Sequence, residues 1–293
     1  MRVAIVGARG QLGAAVVEEL TPSHDVTAFT RTDFDITDHN AVMAAMEAAR
    51  PGAIVNCAAA NDVDGAEDRP VEALNGNAFA VRSLAQAAER TGAVLVHYGT
   101  DFVFDGTATT SYREVDPPNP RSTYGFSKLL GEWFALEAPR SYVLRVESLF
   151  GSAEAGPPAK GTVAGILKTL MAGGDARVFE DRTVSPTFVI DAARATRLIL
   201  ERGIEPGLYH CVNEGHGTWL EFAQELARQL GVEPRLCAIR MADVTWHAQR
   251  PQYCALSIEK LASAGIPMPS WQDAVARYLH QLRHNLTQPV ADR

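Results

Sequence analysis

The chain has 293 residues, 46% of them hydrophobic and 21% charged, with a formal charge of −8. This is long enough for one α/β unit with an appended lobe, and the acidic balance leaves no basic face to release counterions, so nucleic-acid and anionic-membrane partners are not expected. No apolar run is long enough for a bilayer, no signal peptide precedes the first strand, and the four cysteines form no C-x-x-C pair, so a cytoplasmic protein with reduced thiols is expected.

In chain order, "RVAIV" (2–6) reads as a strand and "QLGAAVVEEL" (11–20) as an amphipathic helix stopped by Pro22. "DVTAF" (25–29) is a second strand. "DHNAVMAAMEAAR" (38–50) is a helix with Asp38 as N-cap and Pro51-Gly52 as its stop. "AIVN" (53–56) is a third strand, and one long helix is expected from about Pro70 to Arg90, closed by Gly92. "AVLVHYG" (93–99), a helix holding "YGFSK" (124–128) and "SYVLRV" (141–146) complete the first half. Short, continuously apolar runs of this kind are buried parallel strands, and their alternation with helices implies a Rossmann-like doubly wound α/β sheet.

After Gly151 a turn-rich connector leads to helices near 163–171, 189–201 and 219–230, the last with Thr218 as N-cap. "ARVFE" (176–180) and "GLYHCV" (207–212) read as short strands. Residues 1–150 are thus expected to form an NAD(P)-binding domain. Residues 151–293 are expected to form a smaller C-terminal substrate-binding lobe whose segments return to the sheet, with a disordered tail from about Asn285. His210, Cys211 and His216 have no spacing suited to a tetrahedral metal site, so no metal is expected.

"VGARGQLG" (6–13) follows the first strand and opens the first helix. Gly7 permits a sharp turn, Gly10 lets backbone approach a pyrophosphate, and Gly13 lets helix pack on strand. The helix start at Gln11 and Leu12 presents free N–H groups to an anion. The second strand ends in Phe29-Thr30-Arg31, with no carboxylate until Asp33 to grip a ribose 2′-hydroxyl. A guanidinium at Arg31, helped by Arg9, suits a 2′-phosphate, so NADPH is favoured and NADH stays open. Asp35 and Ile36 are placed beside the adenine, with turn capping as the other role open to Asp35. Cys57, Ala58, Ala59 and Ala60 end the third strand with room for a dinucleotide. Tyr124 and Lys128, four apart, share a helix face.

The motifs G-x-x-G-x-x-G (7–13), "NCAAANDVDGAE" (56–67), "GTDFVFDG" (99–106), "YGFSK" and "SPT" (185–187) occur in the order found in the extended short-chain dehydrogenases/reductases. Within them the chain resembles the dTDP-4-dehydrorhamnose reductases along nearly its whole length. That resemblance implies NAD(P)H-dependent reduction of a 4-keto sugar on a nucleoside diphosphate, by a trio carried over to Thr100, Tyr124 and Lys128. It places Asn75 near the cofactor, and it implies that dimers can form. It also leaves open a non-catalytic NADP-binding subunit, like the regulatory subunit of methionine adenosyltransferase, and a nucleotide-sugar epimerase.

In this reading Tyr124 gives the alkoxide its proton. At about 4 Å and an effective dielectric near 20, Lys128 would attract a phenolate by roughly 4 kcal/mol. That is about three pKa units, which would bring the phenol close to neutrality. Thr100 donates to the ketone oxygen. Dehydratases carry Asp-Glu after the Thr; here Asp101-Phe102 follows, which argues for simple reduction. Arg250 is the expected diphosphate contact, with Arg182 second, and Asn61, Val63, Asp101 and Phe102 border the sugar. The chain departs from the resemblance at Val146-Glu147-Ser148-Leu149, where Glu147 sets a carboxylate beside the sugar, and at Gly99, where a serine is usual.

Overall fold

The computed structural model describes residues 1–154 and 156–287. The first half runs β1 (Arg2–Val6), α1 (Gln11–Leu20), β2 (Asp25–Phe29), α2 (His39–Ala49) and β3 (Ala53–Asn56). It continues through α3 (Val63–Asp68), α4 (Pro70–Leu74), a π-helical turn (Asn75–Phe79), α5 (Ala80–Thr91), β4 (Val94–Thr100), α6 (Thr123–Leu136) and β5 (Ser141–Val146). The second half holds β6 (Leu149–Phe150), α7 (Thr162–Met171), β7 (Ala176–Phe179), β8 (Thr183–Val184), β9 (Thr187–Phe188) and α8 (Val189–Arg202). It ends with β10 (Gly207–His210), β11 (Gly217–Thr218), α9 (Trp219–Leu230), β12 (Leu236–Ile239), α10 (Glu259–Ser263) and α11 (Trp271–Thr287).

Six strands form one parallel sheet in the order β10-β5-β4-β3-β1-β2. The chain leaves β1 toward β2, then crosses back to β3 and continues outward. The strand order therefore reverses between β1 and β3, and a crevice opens beyond their carboxyl ends. The residues of β3 and β5 are buried throughout, as expected for central strands with helices on both faces. Helices α1 and α8 cover one face, over Val3, Ile5, Val96 and Leu144. Helices α2, α5 and α6 cover the other, over Ala4, Ile54, Leu95 and Val143.

A second core lies in the later half. It gathers Phe150, Phe188, Phe222, Trp271 and Tyr278 from β6, β9, α9 and α11. Trp219 and Trp271 are buried in it, 3% and 5% exposed. The expected return to the sheet is made by β10, which pairs with β5, and by α8 against α1. No helix among the described residues is long and apolar enough to cross a membrane.

Local chemistry accounts for the element ends. Asp38 caps α2 by accepting from the N–H groups of Asn40 and Ala41, and Arg50, at φ 44°, ends it. Thr218 and Glu221 form a capping box on α9. Several elements differ from the sequence reading, which placed none at β6, β8, β9, β11, β12, α10 or α11. The helix expected over 70–90 is interrupted by the π-helical turn at Asn75–Phe79. Helix α3 occupies what reads as loop. Helix α11 runs on to Thr287, through the start of the expected tail, whose residues from 288 lie outside those described.

Candidate active site

The loop from Gly7 to Gly13 closes on itself at the carboxyl end of β1. Gly7 has φ 80°, and a Cβ there would sit 2.7 Å from the backbone N of Ala58. A Cβ on Gly13 would sit 2.2 Å from the carbonyl of Gly7. Neither position admits a side chain, so backbone lies bare where a pyrophosphate would approach. Gly10 is exposed beside them, and the side chain of Gln11 donates to the carbonyl of Gly151 at 2.7 Å. The Leu12 side chain belongs to the core, which leaves only its backbone for a ligand.

Across the crevice, Cys57 to Ala60 form a half-buried ribbon of small side chains. Asn77 holds it in place. Its amide accepts from Ala60 N–H at 2.8 Å and donates to Ala60 carbonyl at 3.0 Å and to the Ser127 hydroxyl at 3.0 Å. The sequence reading chose Asn75, and the structure corrects it: Asn75 is exposed and Asn77 is 1% exposed. The signal was there in the helical period. Val81 and Leu84 form the buried face of α5, and stepping back four and seven residues from them reaches 77.

At the end of β2, Arg9 and Arg31 are both exposed. The first carboxylate, Asp33, is already spent in a turn, accepting from Thr30 N–H at 2.7 Å and from the Thr30 hydroxyl at 2.8 Å. Asp35 likewise caps a turn through the N–H and hydroxyl of Thr37, and Ile36 packs on the core face. The rim therefore offers two cations, with Asp33 and Asp35 each held by one oxygen in a turn.

Thr100, the last residue of β4, and Tyr124 and Lys128 of α6 converge and are all buried. Ser122 caps α6 by accepting from Gly125 N–H at 3.2 Å. The Tyr124 hydroxyl reaches 3.5 Å from Asn61 Oδ1, and its ring meets Phe102 edge-on at 5.4 Å. Val63 and Phe102 pack against it. Lys128 Nζ donates to the carbonyl of Tyr98 at 2.6 Å.

The expected tuning by Lys128 is overturned in direction. Burial pushes the Tyr124 phenol well above its ordinary value, Asp101 adds to the rise, and Thr100 draws it down. Lys128 cannot offset this. It is itself buried, which pulls its pKa down to about 8, and its ammonium is directed at a backbone carbonyl. Tyr124 is thus held as an acid, a donor rather than a near-neutral phenolate.

Beneath the trio, Glu147 is 2% exposed and accepts from Ser185 N–H at 2.7 Å. Arg182 lies 5.9 Å above the Phe102 ring. Burial, then the charge of Asp101, raises the Glu147 carboxyl. Gly99 is explained by Glu132: a Cβ there would stand 2.2 Å from Glu132 Oε1, which binds Arg145 in a buried pair. Arg250 does not present a free fork, correcting its assignment to a diphosphate. Asp64 takes both terminal nitrogens at 2.9 and 2.7 Å, and Trp246 stacks beneath at 4.4 Å. His210 is buried and donates from Nδ1 to the Ser257 carbonyl at 3.2 Å, with its pKa pushed down to about 3 by burial. An open cleft of about 740 Å³ beside the start of α6 is walled by Glu67, Arg121, Phe126 and Gln249. Neither Thr100 nor Tyr124 is among its walls, though Ser122 and Thr123 at the start of α6 are.

The model of the family described as RmlD substrate binding domain matches residues 1–284. The chain belongs to this family. Among its relatives in the RmlD family, a dTDP-4-dehydrorhamnose reductase of Streptomyces griseus is 36% identical over 98% of this chain and 95% of its own. A probable dTDP-4,6-dihydroxy-2-methyloxan-3-one 4-ketoreductase of Streptomyces antibioticus is 36% identical over 94% and 93%. The crystal structure of dTDP-4-dehydrorhamnose reductase from Bacillus anthracis in complex with NADP superposes with a TM-score of 0.89. It is 31% identical and covers 96% of this chain and 99% of that one.

Proposed function

We propose that this chain is an NADPH-dependent reductase of a 4-keto-6-deoxysugar carried on a nucleoside diphosphate. The observation that carries the reading is the convergence of Thr100, Tyr124 and Lys128 at the end of β4, in a chain whose relatives are sugar-nucleotide ketoreductases. The NADP-bound relative supports the cofactor, and the residues here fit it. Gly7 and Gly13 leave backbone open to the pyrophosphate, Ala58 to Ala60 leave room, and Arg9 and Arg31 suit a 2′-phosphate.

When bound, NADPH supplies the hydride that reduces the C4 ketone. Tyr124 transfers its phenolic proton to the oxygen that becomes the hydroxyl, and its raised pKa keeps that proton in place until negative charge develops. Thr100 donates to the same oxygen, a bond that strengthens as charge builds. Lys128 holds the nicotinamide ribose. Residues 1–150 bind the cofactor and 151–293 form the lobe that closes on the sugar nucleotide, with Asn61, Val63 and Phe102 at the sugar. Phe102 packs on Tyr124 where a dehydratase needs a second acid, which supports reduction alone. The exposed apolar residues Phe79, Phe126, Trp133 and Leu136 support a homodimer through this helical face.

Spectrophotometry of NADPH oxidation with dTDP-, UDP- and GDP-4-keto-6-deoxysugars tests the reading. The wild type should turn over at least one. Tyr124→Phe should lower kcat by about 10²–10⁴ with NADPH affinity unchanged. Tight NADPH binding without turnover on any of them would transfer support to a non-catalytic subunit.

A further inference from the structure

Behind Thr100 lies a set of buried groups that the reduction described above leaves without a task. A carboxylate oxygen of Asp101, one of Glu147 and Sγ of Cys254 lie within 4.8 Å of one another. Asp101 and Glu147 are 3% and 2% exposed. One oxygen of each is engaged: Asp101 Oδ1 with the Thr100 hydroxyl at 3.1 Å, and Glu147 Oε2 with Ser185 N–H at 2.7 Å. The other oxygen of each, Asp101 Oδ2 and Glu147 Oε1, is buried with no partner, and so is Arg182 Nε. Unpartnered buried acceptors are rare, and two in one cluster mark a site too rich in negative charge for its donors.

A charge count agrees. The charged and titratable groups facing the pair are Arg182, Cys254 and Tyr124. Burial keeps the Cys254 thiol and the Tyr124 phenol protonated, so Arg182 is the cation opposing two carboxylates. Full ionisation would leave one uncompensated negative charge, which in a dry site costs several kcal/mol. One proton makes the set neutral. Burial raises the carboxyls of both Asp101 and Glu147, in agreement with that count.

The hydrogen-bond inventory of Thr100 then matters. A threonine hydroxyl has one proton to donate and two lone pairs. One lone pair accepts from Phe102 N–H at 3.3 Å. If Asp101 is a carboxylate, it claims the only proton and Thr100 cannot donate to a ketone. If Asp101 carries a proton, it donates to the second lone pair and frees the Thr100 proton for substrate.

We propose that Glu147 is a positioning residue for the reduction: as the carboxylate opposite Arg182 it keeps one proton on Asp101 Oδ1, Asp101 donates that proton to Thr100, and Thr100 is thereby set as a donor to the substrate carbonyl. The proposal rests on the ketoreductase reading for its last step only. Its first step is a property of the protein without substrate.

Infrared difference spectroscopy of protein labelled at Asp and Glu carboxyl carbons reads that step directly. At neutral pH the wild type should show a protonated-carboxyl band that Glu147→Gln removes, since a lone Asp101 beside Arg182 ionises. Asp101→Asn should remove it as well, and serves where the first variant does not fold. In turnover, Glu147→Gln should lower kcat toward the roughly 10²-fold cost of one lost oxyanion donor. Its activity should recover as pH falls and Asp101 regains a proton, so the alkaline limb of the profile moves to lower pH. A wild type with no such band at neutral pH, a band unchanged in both variants, or a Glu147→Gln profile that keeps the wild-type shape would overturn the proposal. A chain inactive on every sugar tested would count against the ketoreductase reading and leave the spectral result to decide the proton on Asp101.

Discussion

The two walls of the crevice are made of different material. At the ends of β1 and β3 the wall is backbone and small side chains, with Gly7 packed on Ala58 and Gly13 on Gly7 too closely for a Cβ at either glycine. At the ends of β4 and β5 it is buried charge: Lys128, Glu132, Arg145, Asp101 and Glu147 are each 3% exposed or less. The first wall suits a ligand recognised by shape and by peptide N–H groups, the same in any dinucleotide enzyme. The second is a set of paired charges whose balance decides where protons sit. Changes to the first wall should therefore act on cofactor binding, and changes to the second on stability and chemistry.

The largest stability effect should come from breaking a pair in the charged wall. Glu132 accepts from Arg145 Nε at 3.1 Å and from its Nη2 at 2.8 Å, with both residues buried. Arg145 also lies 4.9 Å from the centre of the Phe104 ring, so its guanidinium has no path to water. Glu132→Gln strands that cation and should destabilise the fold by about 3–5 kcal/mol, measured by urea unfolding. A double change that replaces both residues with apolar ones should recover most of the loss. A single variant as stable as wild type would mean that the wall is not held by this pair.

Asn77 tests the other wall. Asn77→Ala leaves Ala60 N–H and carbonyl without partners and should cost about 1–3 kcal/mol. Because the ribbon it ties is the proposed cofactor floor, NADPH affinity should fall while the kcat of the loaded enzyme changes little. Titration calorimetry and steady-state kinetics separate the two. A fall in kcat with unchanged affinity would move Asn77 to the reaction side.

The same division explains what could be read before the structure. The backbone wall was legible: β1, α1, β2 and β3 fall where the apolar runs and the glycine loop place them, because buried parallel strands carry their signal locally. The trio was legible as a motif in order. Groups whose behaviour depends on a partner far along the chain were not. Arg250 reads as a free fork until Asp64, 186 residues away, is seen to fill it. The effect of Lys128 on Tyr124 was computed from one distance and one dielectric, whereas burial of both groups decides the sign. Asn77 lies in period with Val81 and Leu84 and Asn75 does not, but the bond that makes Asn77 matter, to Ala60, crosses seventeen residues and shows only in the fold. Gly99 looks like a lost hydroxyl until Glu132 is found in the space a side chain would take.

The smallest effect is expected at the rim, where the backbone wall meets solvent. Arg31 is exposed, and the nearest carboxylate along the chain, Asp33, is held by one oxygen in the turn at Thr30. Arg31→Ala should weaken NADPH binding about tenfold, roughly 1.4 kcal/mol, and leave NADH unchanged. The magnitude is bounded from both sides: a charge-assisted bond to phosphate is worth about 1.5–3 kcal/mol, and exposure to salt takes part of that away. The ratio of NADPH to NADH affinity should therefore shrink in wild type as ionic strength rises, and the variant should show little of that dependence. Equal losses for both cofactors would place Arg31 against the shared pyrophosphate and end its role in choosing between them. Adding Arg9→Ala should then deepen the NADPH loss by a similar factor if the two cations act on one phosphate independently.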